Sequence, residues 1–190
     1  LAHGDVSDMT SHDIDFSGVT FRYEEGVDVL TDFSLKLESG KKYALVGSSG
    51  SGKSTIAKLI SGFYPVSSGE LKIGGVDISK YKRETLEHEI AFVFQNAKLF
   101  KTSIYENVKI GRPDASREEV VKALDLAMCG SILDKFETRE DTIIGAKGVH
   151  LSGGETQRIA IARAILKDAP IIILDEASAA SDPENEYAMQ

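Results

Sequence analysis

The sequence predicts an α/β fold. Three observations carry that expectation: apolar and polar residues alternate near the N-terminus, two short apolar runs end in glycine or acidic residues, and helical periodicity dominates from about residue 96 to 167. The expected architecture is a mainly parallel sheet, with an antiparallel β subdomain before it and a helical subdomain over approximately residues 96–153. Residues 1–13 read as a polar leader or linker, and the folded body is expected over 14–190.

From Ile14 to Tyr23 the alternation is that of a half-buried strand, and the turn residues of EEGVD separate it from a second such pattern in VLTDFSLKL. Tyr43 to Val46 form an apolar run ending at Gly47, as expected for a strand buried on both faces. Ile56, Leu59 and Ile60 then take helical spacing, and Gly62 marks the stop. Two short strand patterns flank Gly74-Gly75, RETLEHE reads as a short helix, and IAFVF reads as a strand. Beyond Gln95, Ser116 and Glu119 form a capping box ahead of Val120, Val121, Leu124, Ala127 and Met128, which share one packing face. A helix over Gly154 to Lys167 and a buried strand over Ile171 to Leu174 complete the order.

Composition narrows the function. With 190 residues, 42% hydrophobic and 27% charged, the chain has ordinary globular usage and room for one domain. Acidic residues outnumber basic ones 30 to 22, a formal charge of -8 with no Lys/Arg block, so no nucleic-acid partner is expected. The single cysteine, Cys129, excludes an internal disulfide and reads as an inert apolar residue in a reducing compartment. No run approaches the roughly 18 apolar residues of a membrane helix.

The strongest motif is Gly47-Ser48-Ser49-Gly50-Ser51-Gly52-Lys53-Ser54-Thr55, which matches GxxxxGK[ST] between an expected strand and an expected helix. Its glycines let the backbone turn closely around phosphates, and amides at the helix start can donate to phosphate oxygens. Lys53 is suited to the β and γ phosphates and Ser54 to Mg2+, which makes the core that of a P-loop NTPase. Asp175-Glu176 follow the apolar run IIIL, so a buried strand would present both carboxylates at its carboxyl end. There Asp175 can organise the magnesium shell, and Glu176 can accept a proton from an attacking water.

Leu151-Ser152-Gly153-Gly154-Glu155, just before TQRIAIARAIL, resembles the signature motif of ABC-type ATPases. The resemblance runs from about Phe16 to Glu186 and implies that this motif completes the nucleotide site of an opposing subunit. ATP would then be held in two composite sites of a head-to-tail homo- or heterodimer. It further implies that Tyr23 stacks on adenine, that Gln95 contacts magnesium or the attacking water, and that Asp182 faces the opposing site. Leu99 to Asn107 and Thr142 to Gly148 are similar to segments of exporter ATPase domains. Export through an associated transmembrane domain, at the cytoplasmic face of a membrane, is therefore implied ahead of an importer subunit or a structural or DNA-repair ATPase.

Four departures from that pattern matter. Ala146 replaces an acidic contact residue, and Ser181 replaces the usual Leu. Glu155 stands where Gln is usual and would weaken activity if its charge faced the nucleotide, unless Lys147 or Arg158 compensated it. Lastly, none of His3, His12, His88 or His150 lies at the position of the family's switch histidine. The expected domain is therefore incomplete at its C-terminal end, able to bind ATP while hydrolysing it poorly.

Overall fold

The computed structural model describes residues 4–24, 26–48, 50–145 and 149–175. The chain divides into two compact units, Leu1–Ile90 and Ala91–Gln190.

In the first unit, β1 (Ile14–Phe21), β2 (Leu30–Leu37), β3 (Ser68–Ile73) and β4 (Val76–Asp77) make a sheet in the order β2-β1-β3-β4 with antiparallel neighbours. The alternation read from β1 slips once: Ile14 and Phe16 are buried, then Val19 and Phe21. The slip sits at Gly18, whose φ of 55° accompanies a register break against both neighbouring strands. One extra residue there returns the apolar side chains to the same face. Gly74 and Gly75, at φ 59° and 78°, turn β3 into β4, a backbone that side-chain-bearing residues rarely adopt.

Helix α1 (Lys53–Ile60) buries Ile56, Ala57, Leu59 and Ile60, the helical spacing expected of it. Phe16, Val19, Leu71, Ile73 and Tyr81 are other deeply buried side chains of this unit's core. The Tyr81 hydroxyl, inside that core, donates to the Ile73 carbonyl at 2.7 Å. Residues 4–13 lie along the 74–85 stretch: Val6 N donates to Lys80 O and Lys82 N to Val6 O, both at 2.9 Å. Just beyond, α2 (Arg83–Glu89) places Thr85 Oγ1 3.0 Å from the Ser7 carbonyl.

The run Tyr43 to Val46 does not form the buried strand its composition predicts: it joins no ladder, and Tyr43, Leu45 and Val46 are exposed, Val46 by 95%. A strand becomes buried on both faces only when other strands flank it, and among the described residues none pairs with this run. Tyr43 instead turns its hydroxyl to accept from Glu38 N at 2.9 Å.

In the second unit, β5 (Ile90–Val93) pairs with β6 (Ile171–Leu174). Helices α3 (Ile104–Lys109), α4 (Arg117–Leu126), α5 (Gly130–Leu133) and α6 (Gly153–Lys167) carry most of its core, with α6 packed on α3 and α4. Ile104, Val108, Val120, Leu124, Cys129, Ile132 and Ile159 are each at most 1% exposed.

The capping box at α4 forms as read: Glu119 N donates to Ser116 Oγ at 3.2 Å, and Ser116 N to Glu119 Oε2 at 2.7 Å. The α4 packing face is shorter than its periodicity suggests. The helix ends at Leu126, and Met128, at φ 59°, turns out to solvent. Strand β6 also departs from expectation, since Ile171 is buried but Ile172 and Leu174 are exposed; a two-stranded sheet covers too little of either face. Cys129 is fully buried, and burial pushes its thiol up to about 12, which keeps it protonated and inert. Among the described residues no helix is long and apolar enough to cross a membrane.

Candidate functional site

In the first unit the phosphate-loop motif lies between the exposed 43–46 run and α1, described throughout except at Ser49. Gly52 is the residue before α1, at φ 95°, so the glycine is required by conformation; a Cβ there would also lie 2.8 Å from Leu30 Cδ2, the end of a side chain that would have to shift. Gly50, at φ 80°, is required by conformation alone. A Cβ on Gly47 would meet Ser51 Oγ at 2.6 Å. The start of α1 has no side-chain cap and no acidic residue in its first turn. Its positive dipole end is therefore left for an anion.

Lys53 folds back over the loop and donates from Nζ to the Gly47 carbonyl and, at 3.0 Å, to the Ser48 carbonyl. Both are neutral acceptors, which a phosphate oxygen outcompetes for a cationic donor. Ser54 is half-buried in the first turn, beside the buried Thr55. The Thr55 hydroxyl is 3.0 Å from the hydroxyl of Tyr23, which ties the adenine-stacking candidate to the first turn of α1. The Tyr23 ring meets Phe21 and Tyr64 edge-on, at centroid distances of 4.8 and 5.2 Å, and stays 45% exposed. Sequence reasoning passed over Tyr64; its signal was the aromatic pair Phe63-Tyr64 following the helix stop at Gly62.

In the second unit, Asp175 and Gln95 leave the β5–β6 pair together: Asp175 N donates to Val93 O at 3.0 Å, two residues before Gln95. The next carbonyl, that of Phe94, accepts from Gln157 Nε2 at 3.0 Å. Gln157 is 2% exposed and was also passed over; an amide in the apolar interior of the 154–167 pattern was the available sign. It joins α6 to the strand end that carries Gln95. Glu176 and Asp182 lie outside the described residues, as do Lys147, Ala146 and Ser181.

Ser152 and Glu155 open α6 with a reciprocal capping box: Glu155 N donates to Ser152 Oγ at 3.1 Å, and Ser152 N to Glu155 Oε1 at 3.0 Å. Leu151 packs on the helical core, while Gly153 has no atom within 4 Å of where a Cβ would stand. The charge of Glu155 is met by a residue that the sequence did not single out: Lys135 Nζ is 2.6 Å from its Oε2. Arg158 is buried but turns Nη1 to the Met128 carbonyl, so it is not the compensating group. Burial alone would raise the Glu155 carboxyl; the hydrogen bonds from Lys135 and Ser152 outweigh it and hold the group below the ordinary carboxylate range.

The two exporter-like segments meet each other. Ile104 N donates to Thr142 O at 3.0 Å and Ile144 N to Thr102 O at 3.1 Å. Asn107, fully buried, clasps the first of them by accepting from Phe100 N at 2.8 Å and donating to the Phe100 and Ser103 carbonyls at 3.0 Å. Arg163 of α6 completes the clasp through Nε to Asn107 O at 2.8 Å.

The family profile of ABC transporters matches residues 30–179. The chain is 44% identical over 187 residues to the ATP-dependent lipid A-core flippase of Escherichia coli K12, covering 97% of this chain and 32% of that protein. The same figures hold for the flippase of Shigella flexneri. A solved bacterial Atm1-family ABC exporter with ATP bound superposes with a TM-score of 0.89 at 36% identity, over 99% of this chain and 33% of that one. The chain thus spans about a third of the length of these relatives. Profile, relatives and superposition agree with the motif order, and the chain belongs to the ABC transporter family, with the fold of an exporter's ATPase domain.

Proposed function

We propose that this chain binds ATP with Mg2+, hydrolyses it in a head-to-tail dimer with a second ATPase domain, and so powers export through a transmembrane domain at the cytoplasmic face of a membrane. The observation that carries the reading is the phosphate loop: an uncapped, acid-free helix start with Lys53 held over it by two loop carbonyls. On ATP binding Lys53 exchanges those carbonyls for phosphate oxygens, and Tyr23 offers its exposed ring to adenine.

Ser54, Gln95 and Asp175 supply oxygen donors of the kind a hard cation prefers. Among the described residues no cluster of three or more His, Cys, Asp or Glu can hold a metal. Mg2+ keeps several waters and phosphate oxygens in its shell, so it needs few protein oxygens of this kind. When bound, the ion screens charge on the terminal phosphates. Glu176 is the residue to take a proton from water attacking in line at the γ phosphorus, with Lys53 offsetting the charge that develops. Ser152, Gly153, Gly154 and Asp182 face the opposing nucleotide, and Asn107 and Arg163 keep the exporter-like segments seated on α6.

The match to a lipid flippase covers the motor region, so the motor carries over and the cargo does not. The test is phosphate release by the full-length gene product in lipid vesicles. Glu176→Gln is expected to cut release by about 10²-fold or more while ATP still binds. Equal release from the parent and the variant would break the hydrolytic reading.

A further inference from the structure

We propose that Lys135 is a positioning residue for the nucleotide-facing turn of α6, which it serves by neutralising Glu155. The inference rests on the reading that Ser152 to Gly154 contact the opposing ATP.

The geometry sets a problem that Lys135 solves. Glu155 is 9% exposed, and its carboxylate accepts the Ser152 amide through Oε1. That bond fixes the backbone entering α6, and the reciprocal bond from Glu155 N engages a lone pair of Ser152 Oγ. The hydroxyl proton of Ser152 is then the part of the side chain available to an anion. A glutamine at position 155 would make the same backbone bond without charge. A carboxylate makes it while placing a full negative charge at the positive end of the helix, where it opposes an incoming polyphosphate.

Lys135, just after α5, supplies the missing cation through Oε2 at 2.6 Å, with its own side chain 58% exposed. Among the described residues, Lys135 faces Glu155 from the α5 side, and Arg158, one turn along α6, directs Nη1 to the Met128 carbonyl. The Glu155 carboxylate therefore caps the helix as the amide would, on condition that residue 135 is cationic.

The experiment measures the KM for ATP and kcat in the full-length gene product, for the parent, K135Q, K135R, E155Q, K135Q/E155Q and S152A. K135Q is expected to raise KM about three- to tenfold with kcat changed far less, while K135R retains most of the parent's affinity. In the E155Q background, K135Q is expected to change nothing further, because the charge it balances is gone. Equal KM values for K135Q and the parent, or a K135Q effect of the same size with and without Glu155, would overturn the proposal. S152A separates the two levels. If it raises KM while K135Q does not, Lys135 alone is misassigned; if it leaves KM unchanged, the composite-site reading fails and this inference with it.

Discussion

The starts of α1 and α6 both face phosphate in the proposed mechanism, yet they are built in opposite ways. At α1 the preceding residue is Gly52, in a left-handed conformation, with no side-chain cap and no acid in the first turn. At α6 the preceding residue is Ser152, in extended conformation, with both arms of a capping box closed and an acid buried beneath them. The first start leaves its amides to the ligand and makes the loop depend on glycine geometry. The second satisfies its own polar groups and depends on a charge pair. An anion can be received by a helix left open, or by one whose cap is neutralised from outside.

The contrast breaks most visibly at the glycines. Gly52→Ala forces a Cβ into a left-handed backbone and against Leu30 Cδ2 at 2.8 Å, and is expected to destabilise the fold by about 1–3 kcal/mol. Gly153→Ala meets open space at an ordinary φ and is expected to change stability by less than about 0.5 kcal/mol. Chemical denaturation of both variants measures the difference, and equal losses would show that the two helix starts are not built differently.

A smaller effect is expected from the cap itself. Ser152→Ala removes the acceptor for Glu155 N and is expected to cost about 1 kcal/mol, read in the same unfolding curves. A loss below about 0.2 kcal/mol would mean that the turn is held by packing of Leu151 and not by its hydrogen bonds.

The smallest effect is on acid stability. The Glu155 carboxyl is held below its ordinary value in the folded chain, so its stabilisation is present above the ordinary carboxylate range and lost as pH falls through the lowered folded value. Glu155→Gln is expected to flatten that part of the dependence of Tm on pH. An unchanged acid limb would place the pH sensitivity elsewhere.

Much of this was legible from local patterns. The alternation of β1, the Gly74-Gly75 turn and the Ser116–Glu119 capping box all involve groups a few residues apart, so their periods and spacings survive in one dimension. Most of the phosphate loop belongs to the same class: Gly50 and Gly52 answer to backbone angles and Gly47 to Ser51 within the motif, while Leu30 approaches Gly52 from outside it. The box at Ser152 and Glu155 has the same S-x-x-E spacing, and there the glutamate is a cap as well as a charge.

The largest departure from the sequence pattern arises at long range. The apolar composition of Tyr43 to Val46 indicates a strand, but burial is conferred by flanking strands, and none pairs with this run among the described residues. Met128 fits the helical period of α4, but the helix ends before reaching it.

By itself, then, the sequence determined the motif order, the glycine geometry of the phosphate loop, the capping residues and the family to which they belong, because each is written in neighbours or in fixed short spacings. Only the tertiary structure decided that Lys135, twenty residues before Glu155, neutralises it, that Gln157 ties α6 to the exit of β5, and that Asn107 and Arg163 clasp the exporter-like segments. The physical reason is the reach of the interactions: dihedral preferences and caps act within a turn, whereas hydrogen bonds and ion pairs between distant residues exist only after packing has brought their partners within about 3 Å.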